Sequence, residues 1–588
     1  MSERRPPAWF EMEDVRRRLY SKAVWVPLRE GRTEKHDDGA EEFHGSGSVA
    51  FHLDRRPEAE GLGWSDIGLS HDGGPHAFTD GRYKPCEVYQ YREGTDLGFA
   101  LVFDQSVGIA HSRVWHVSQD LVLALNLLQE GDVWVRPQEG YAEAIRQVRD
   151  PAGEIVRIEM RSEFLRDYLA ARGAALKIAL YRERSLVMDN ASHIYWPEGR
   201  LSHEDGTSRF RAHLFEVDEQ GVPYGGDVAV FHTWRTDVDT EDEVPVYGPE
   251  HAGNTDGRSA TFRRGGPKFF RAVGEFWREE WIEPAPRSER VRGDKPVDVV
   301  SFVVDGAGTR EPSTALRSED IGRWLWFSPE IVPAALRQRG GGLSWHTADT
   351  GSVWLSPDYP THFGLNSAGL VNVYAYDIAR LPIWQQRVWA GHNESPDAPV
   401  STELLMSQMK AAPAKTHAPE AVLRVMLDEV DAAARSWIGQ PLFKQHDATA
   451  SILATVHRFR ALEDHGVLAL AKDIARLIAD RIDIGVLRKV TSPPKGESWG
   501  SLKSLEKALT TVAGDAQARA MLTPLVGAYQ LRLGDAHLPS AEIEEAFRLA
   551  AVDLKAGKLE QGRQLLTSVV GALTRIRDAM HLPGASSE

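Results

Sequence analysis

Cysteine is nearly absent from this chain: Cys86 is the only one in 588 residues. That excludes an internal disulfide framework and any zinc site built from several thiolates, and a reducing, cytoplasmic setting is expected. Long apolar runs are missing too. None approaches the ~20 residues that span a bilayer, and the opening MSERRPPAWFEMEDVRRRLY has no apolar core of the signal-peptide kind, so no membrane partner is expected. Positive charge is in deficit, with 69 Lys and Arg against 85 Asp and Glu and a formal net charge of -16. Such a balance argues against broad, non-specific DNA binding and still permits a local basic cleft. Named catalytic signatures are scarce as well: there is no H-E-x-x-H and no phosphate-binding glycine loop. No cofactor and no metal are expected.

What is present divides the chain in two. Fifteen of the 17 tryptophans precede residue 400, and only Trp437 and Trp499 follow. The first part carries short β-branched and aromatic runs bounded by turn residues, such as SVAFHLD (48–54), GFALVFD (98–104), DVVSFVVDG (298–306) and LVNVYAYDIA (370–379). These read as strands, with a helical pattern in SEFLRDYLAARGAAL (162–176). From about residue 418 the text turns rich in Ala, Leu and Glu with a 3.6-residue period, which predicts a bundle of some five to seven helices. The expected class is α+β: a β-rich region at 1–285, a second β-containing segment at 286–400 possibly continuous with it, a linker at 401–419, and an all-α domain at 420–588.

Chemistry-bearing residues are scattered in the first part. His44, His52 and Asp54 share one stretch, His116 lies near Asp120, and His232 precedes the carboxylates Asp237, Asp239, Glu241, Asp242 and Glu243. No spacing there matches a metal motif, so half-buried histidines and a solvated acidic loop are the plainer expectation. FRRGGPKFFRAVGEFWREEW (262–281) interleaves Arg263, Arg264, Lys268 and Arg271 with six aromatics. Cations can hold phosphates while rings stack on bases, which makes these four the nucleic-acid-binding candidates. A helix with one buried aromatic face is the competing expectation.

The helical part contains LRLGDAH, residues 531–537, where Arg532 and His537 stand five apart with Asp535 between them. This domain resembles the HEPN superfamily, whose members are helical bundles with an R-x4–6-H motif near a helix end. The resemblance covers about residues 420–588. It implies a metal-independent ribonuclease acting as a homodimer, of a kind common in toxins and antiviral defence, with Arg532 and His537 as catalytic residues and Asp535 orienting the imidazole. Some members are instead inactive binding or dimerisation modules. RNA supplies its own 2′-hydroxyl nucleophile; histidine exchanges a proton near neutral pH, and arginine stabilises charge on the phosphate. The family often carries a polar residue after the arginine, where this chain has Leu533. The same spacing recurs in RFRALEDH, at Arg460 and His465 inside an expected helical stretch, and one residue longer at Arg575 and His581.

Two readings of the whole chain follow. One is a sensor–effector: the N-terminal part meets an unidentified trigger, and the helical part cleaves RNA. The other is a non-catalytic ligand- or nucleic-acid-recognition protein with a helical dimerisation domain. A third, an N-terminal site assembled from His44, His52, His116 and His232, would need those residues to meet in space.

Overall fold

The computed structural model describes every residue except 1–4, 69–75, 78, 80, 82, 93–94, 108–111, 219–226, 236–254, 264–266, 296–298, 319–322, 464, 534–539 and 582–588. The chain forms two compact units, Met1–Pro296 and Val297–Glu588. The class is α+β, with a large antiparallel sheet in the first unit and helices concentrated towards the end of the second.

The first unit is organised by a twelve-stranded sheet. Its centre is formed by Phe269–Ile282, Ala174–Met188, Glu41–His52, Trp25–Lys35 and Ile155–Arg161, each antiparallel to the next. Arg200–Asp205 closes one end of the strand order and Leu128–Glu130 the other. Helix Ser162–Arg172 lays Phe164, Leu165, Tyr168 and Leu169 against Val26, Ile158, Met160 and Ile178. Phe10 and Met12 of the N-terminal segment cover Leu180, Phe210 and Phe276.

Beside that apolar patch runs a row of buried charge. Arg182 donates to Glu30 at 2.6 Å, with side chains 4% and 3% exposed. Arg157 lies 3.6 Å and Arg32 3.5 Å from the same carboxylate. Each charge depends on its partner, because an isolated ion in this setting would lose several kcal/mol of hydration uncompensated.

Phe269–Ile282 is a strand, where a helix with one buried aromatic face was the competing expectation for 262–281. Phe269–Ile282 pairs on both sides, with Ala174–Met188 and with Ser208–Val217. Period-two alternation sends Ala272, Phe276 and Ile282 to one face and Trp277 and Trp281 to the other. Arg278 and Glu280 also fall on the buried face. Arg278 donates to the carbonyls of Arg16 and Arg18, and Glu280 accepts from the backbone of Ser21 at 2.9 Å and of Tyr20 at 3.2 Å.

The second unit begins with a six-stranded antiparallel sheet ordered Gly342–Trp345, Thr350–Trp354, Thr361–Leu365, Val371–Tyr374, Trp324–Phe327 and Asn393–Glu394. The residues at 401–419, expected as a linker, carry helix Thr402–Lys410 with Leu404 buried, and they lie within the same compact unit as the bundle. The bundle contains Pro419–Ile438, Gly466–Leu477, Ser501–Ala513, Asp515–Leu533, Ser540–Leu549 and Lys558–Met580. Helix Gly466–Leu477 ends well before residue 490; beyond it Ile482 bridges to Phe443 and Asp483 caps a short turn at Ile484–Leu487. Among the described residues no helix is long and apolar enough to cross a membrane.

Sheet and bundle share a core through Phe459. It lies on the 3-10 helix Arg458–Leu462, yet is fully buried among Phe327, Phe363 and Trp389 of the sheet part. Its ring stacks on Trp345 with centroids 5.8 Å apart. Phe459→Ala should therefore cost about 3–5 kcal/mol and lower the denaturant midpoint of the second unit. A change below about 1 kcal/mol in urea titrations followed by tryptophan fluorescence would mean that the sheet and bundle do not depend on this ring.

Candidate functional site

Three polar residues flanking Phe459 each line one of the cavities of the second unit. His457, Arg458 and Arg460 belong to VHRFRALEDHG, which was expected to continue as a helix. It instead forms the 3-10 helix Arg458–Leu462, leaves it at Glu463, and reaches His465 in a left-handed conformation at φ 64° and ψ -1°. Helix Gly466–Leu477 starts directly afterwards. A non-glycine residue with positive φ is uncommon and is held there by its surroundings.

Arg458 fixes this turn. Its side chain is 1% exposed and that of Glu420 is 4% exposed. Arg458 Nε donates to Glu420 Oε1 at 2.8 Å, Nη2 donates to Oε2 at 3.0 Å, and the Arg458 backbone N–H donates to Oε1 at 3.1 Å. Nη2 also donates to the Ala348 carbonyl at 3.1 Å, and the guanidinium lies over Trp345 at 4.3 Å. The planar fork suits this arrangement, since one group meets a carboxylate, a carbonyl and a ring face together. Helix Lys558–Met580 passes close by at Gly562, where an added Cβ would lie 2.7 Å from the Arg458 carbonyl oxygen.

On one side of the turn is a cavity of about 810 Å³, lined by Asp349, Glu403, Arg458, Lys558, Glu560 and Arg563 among others. Burial raises the Asp349 carboxyl above its ordinary range, while nearby Arg458 opposes the shift. Glu560 and Arg563 pair at 2.6 Å.

On another side, Arg460 and His465 line one cavity of about 570 Å³, together with Arg337, Glu463, Lys472, Asp473 and Arg476. Arg460 pairs with Glu463 and lies 3.4 Å from Asp473, and Arg476 lies 3.7 Å from Asp473. Arg337 and Lys472 are exposed and have no ion pair among the described residues. Among the described residues, four cations and two carboxylates line this cavity, an excess of positive charge on an acidic chain.

The pair from the other motif is only partly described. Arg532 ends helix Asp515–Leu533, and its Nη1 donates to both oxygens of Asp480 at 2.7 Å. Asp535 and His537 lie outside the described residues.

The expected nucleic-acid cluster at 263–271 does not form an open basic patch among its described members. Lys268 pairs with Glu216, and Arg271 stands 3.8 Å from Glu183. Arg263 ends strand Thr255–Arg263, whose side chains are not described there, and Arg264 lies outside the described residues. The acidic run at 236–250 lies outside them too.

The described histidines of the first unit lie in different surroundings. His44 sits in the row of buried charge, where burial and then Arg182, Arg32, Arg184 and Arg157 push its pKa down to about 3. His52 packs against Phe99 and His116 against Phe103; the side chain of His232 is not described. Among the described residues one ligand group could hold an ion, Glu34, His36 and Glu42, with ligand atoms within 4.8 Å of one another. Both carboxylates already have guanidinium partners, Arg32 at 2.5 Å and Arg184 at 2.9 Å.

Sequence reasoning missed Glu420, His457, Arg458, Arg337, Lys472 and Arg476. Their signal was faint: three polar residues in an otherwise apolar passage at 456–462, which a helical period does not explain. No protein-family model matches the chain, and no curated protein and no solved structure matches it either.

Two outcomes test this geometry. Glu420→Ala strands a buried guanidinium and should cost about 3–5 kcal/mol, whereas the double change Arg458→Met with Glu420→Leu should restore most of it; equal losses in single and double variants would contradict a buried, mutually dependent pair. Burial also pushes His457 down to about 4. The unfolded chain therefore takes up its proton near 6.5 while the folded one does not, so stability falls as pH drops from 6.5 towards 4, by up to about 3 kcal/mol from this group. Denaturant midpoints measured across that window should fall less steeply in His457→Phe, and an unchanged slope would remove His457 as the cause.

Proposed function

We propose that this protein is a sensor–effector whose helical part is a metal-independent ribonuclease of the HEPN type, with Arg460 and His465 as its acting pair. The observation that carries the reading is their shared cavity, with Arg337, Lys472 and Arg476 around them. Phosphodiester backbones are attracted to such a local positive excess even where the whole chain is acidic.

The chemistry needs no external nucleophile. The imidazole of His465 takes the proton of an RNA 2′-hydroxyl, and the 2′-oxygen attacks the adjacent phosphorus. The bond from phosphorus to the 5′-oxygen breaks, that oxygen takes a proton from solvent water as it leaves, and His465 returns the proton it took to solvent. The products are a 2′,3′-cyclic phosphate and a 5′-hydroxyl. Arg460 exchanges carboxylate partners for the non-bridging phosphate oxygens and stabilises the charge that builds on them. Lys472 and Arg337 hold neighbouring phosphates.

The reading brings a homodimer, a cytoplasmic setting and a ligand or trigger at the sheet unit with it, as parts of the same proposal; a place in antiviral defence or a toxin system would suit that layout. Arg532 with His537 and Asp535 is the competing pair. Each arginine has a carboxylate that an incoming phosphate would displace, Asp480 for Arg532 and Glu463 for Arg460, so the choice rests on the cations gathered around Arg460 and His465.

The test is cleavage of end-labelled single-stranded RNA by the full chain in excess chelator. Arg460→Ala and His465→Ala should each slow cleavage by about 10²-fold or more, with cyclic-phosphate ends on the wild-type products. Loss confined to Arg532→Ala and His537→Ala would move the site to the other helix end. An intact wild-type chain that binds RNA without cutting it would favour the non-catalytic recognition reading.

A further inference from the structure

The hairpin that joins strands Trp25–Lys35 and Glu41–His52 carries three side chains that the proposed ribonuclease does not use. Glu34 and Glu42 are direct cross-strand partners. His36 follows two residues after Glu34, in a turn where its backbone N–H donates to the Ala40 carbonyl at 2.8 Å. Residues two apart on a strand share a face with each other and with those directly opposite. Two carboxylates and an imidazole therefore gather on one side of the hairpin, and one ligand atom from each lies within 4.8 Å of the other two.

The arrangement is costly as it stands, because like charges directly opposite on a sheet repel. Two guanidiniums relieve this in part. Arg32 meets Oε1 of Glu34 at 2.5 Å, and Arg184 meets Oε1 of Glu42 at 2.9 Å. Both contacts fall on Oε1, so the Oε2 atom of each carboxylate can take another partner while its arginine stays in place. His36 is the member without a partner: its Nε2 is buried and makes no hydrogen bond, and the Trp9 ring lies edge-on to the imidazole with centroids 6.1 Å apart. Buried polar atoms are nearly always paired, so an orphaned nitrogen beside two carboxylates points to something missing between them. The gap admits an ion and no larger group. Three atoms within 4.8 Å of one another share a centre at most about 2.8 Å from each, which is within about 1 Å of a zinc–ligand bond.

We infer that Glu34, His36 and Glu42 hold a divalent transition-metal ion of the zinc or manganese kind. One imidazole with two carboxylates suits such ions better than magnesium or calcium, which prefer oxygen throughout. Three protein ligands leave a further position for water. The ion offsets the repulsion between the glutamates, gives the buried nitrogen its partner and ties the turn to both strands. The site lies in the first unit and its readout is metal affinity, so it stands or falls separately from the ribonuclease reading.

The experiment is calorimetric titration of the full chain, first stripped with chelator, with Zn2+, Mn2+ and Mg2+. One Zn2+ should bind with a Kd below about 10 µM, at least about 100-fold more tightly than Mg2+. His36→Gln and Glu34→Gln, the second at a side chain 40% exposed, should each weaken that binding about 100-fold or more. His203→Gln, at an exposed histidine of the same sheet, should leave it unchanged. Zinc should also raise the thermal midpoint of the wild type and leave that of His36→Gln where it was. Circular dichroism of the metal-free variants separates loss of folding from loss of a ligand. The inference is overturned if no zinc site tighter than about 10 µM is found, if Mg2+ binds as tightly as Zn2+, or if His36→Gln and Glu34→Gln both bind as the wild type does.

Discussion

The second unit hangs on one buried ion pair. Arg458 and Glu420 are both withdrawn from water, and each is tolerable there because of the other. Glu420 stands in the first turn of the longest early helix of the bundle, while Arg458 reaches back to the carbonyl of Ala348 and the face of Trp345 in the sheet. A hydrophobic contact would permit sliding between those elements. A bidentate pair with a third hydrogen bond does not, because small rotations unmake it. The position of every neighbouring side chain on the turn follows: Phe459 into the core, Arg460 to one cavity, His457 to another.

Specificity of this kind has a counterpart in the first unit. There the charges run across adjacent strands, with Arg182 and Glu30 at the centre. Strand register sets which charges meet. A one-residue slip of Glu41–His52 against Ala174–Met188 would turn His44 and Glu42 to the opposite face and leave Arg182 and Arg184 without their neighbours. Both units therefore use buried charge to select one arrangement over others of similar hydrophobic merit.

Much of the architecture was legible in the sequence, and for identifiable reasons. The β-rich first part and helical last part differ in tryptophan, in β-branched runs and in period, and those signals follow directly from how strands and helices bury side chains. Phe269–Ile282 was harder, because both of its faces mix charge with aromatic bulk: Arg278 and Glu280 share a face with Phe276, and Glu279 shares the other with Trp277. No binary pattern survives in such a strand. The turn at 457–465 was hidden because a 3-10 helix and a left-handed residue leave no periodic trace. Arg460 and His465 were visible as a spacing, whereas the cations around them come from residue 337 and from the following helix, and only folding brings those together. Glu420 gave no local sign of its role, since its partner lies 38 residues away.

Among the described residues the longest path through the first unit's sheet has two ends, while a hairpin of Val88–Arg92 and Thr95–Phe99 branches from Glu41–His52. One terminal strand, Leu128–Glu130, is only three residues long. The other, Arg200–Asp205, is mostly exposed and carries Arg200, His203, Glu204 and Asp205 in six positions. A short border offers few unpaired amides, and a border rich in charged side chains is a costly place to bury another strand. Both borders are thus poor templates for another strand. A sheet this wide, which could otherwise grow by recruiting further chains, is left with self-limiting margins.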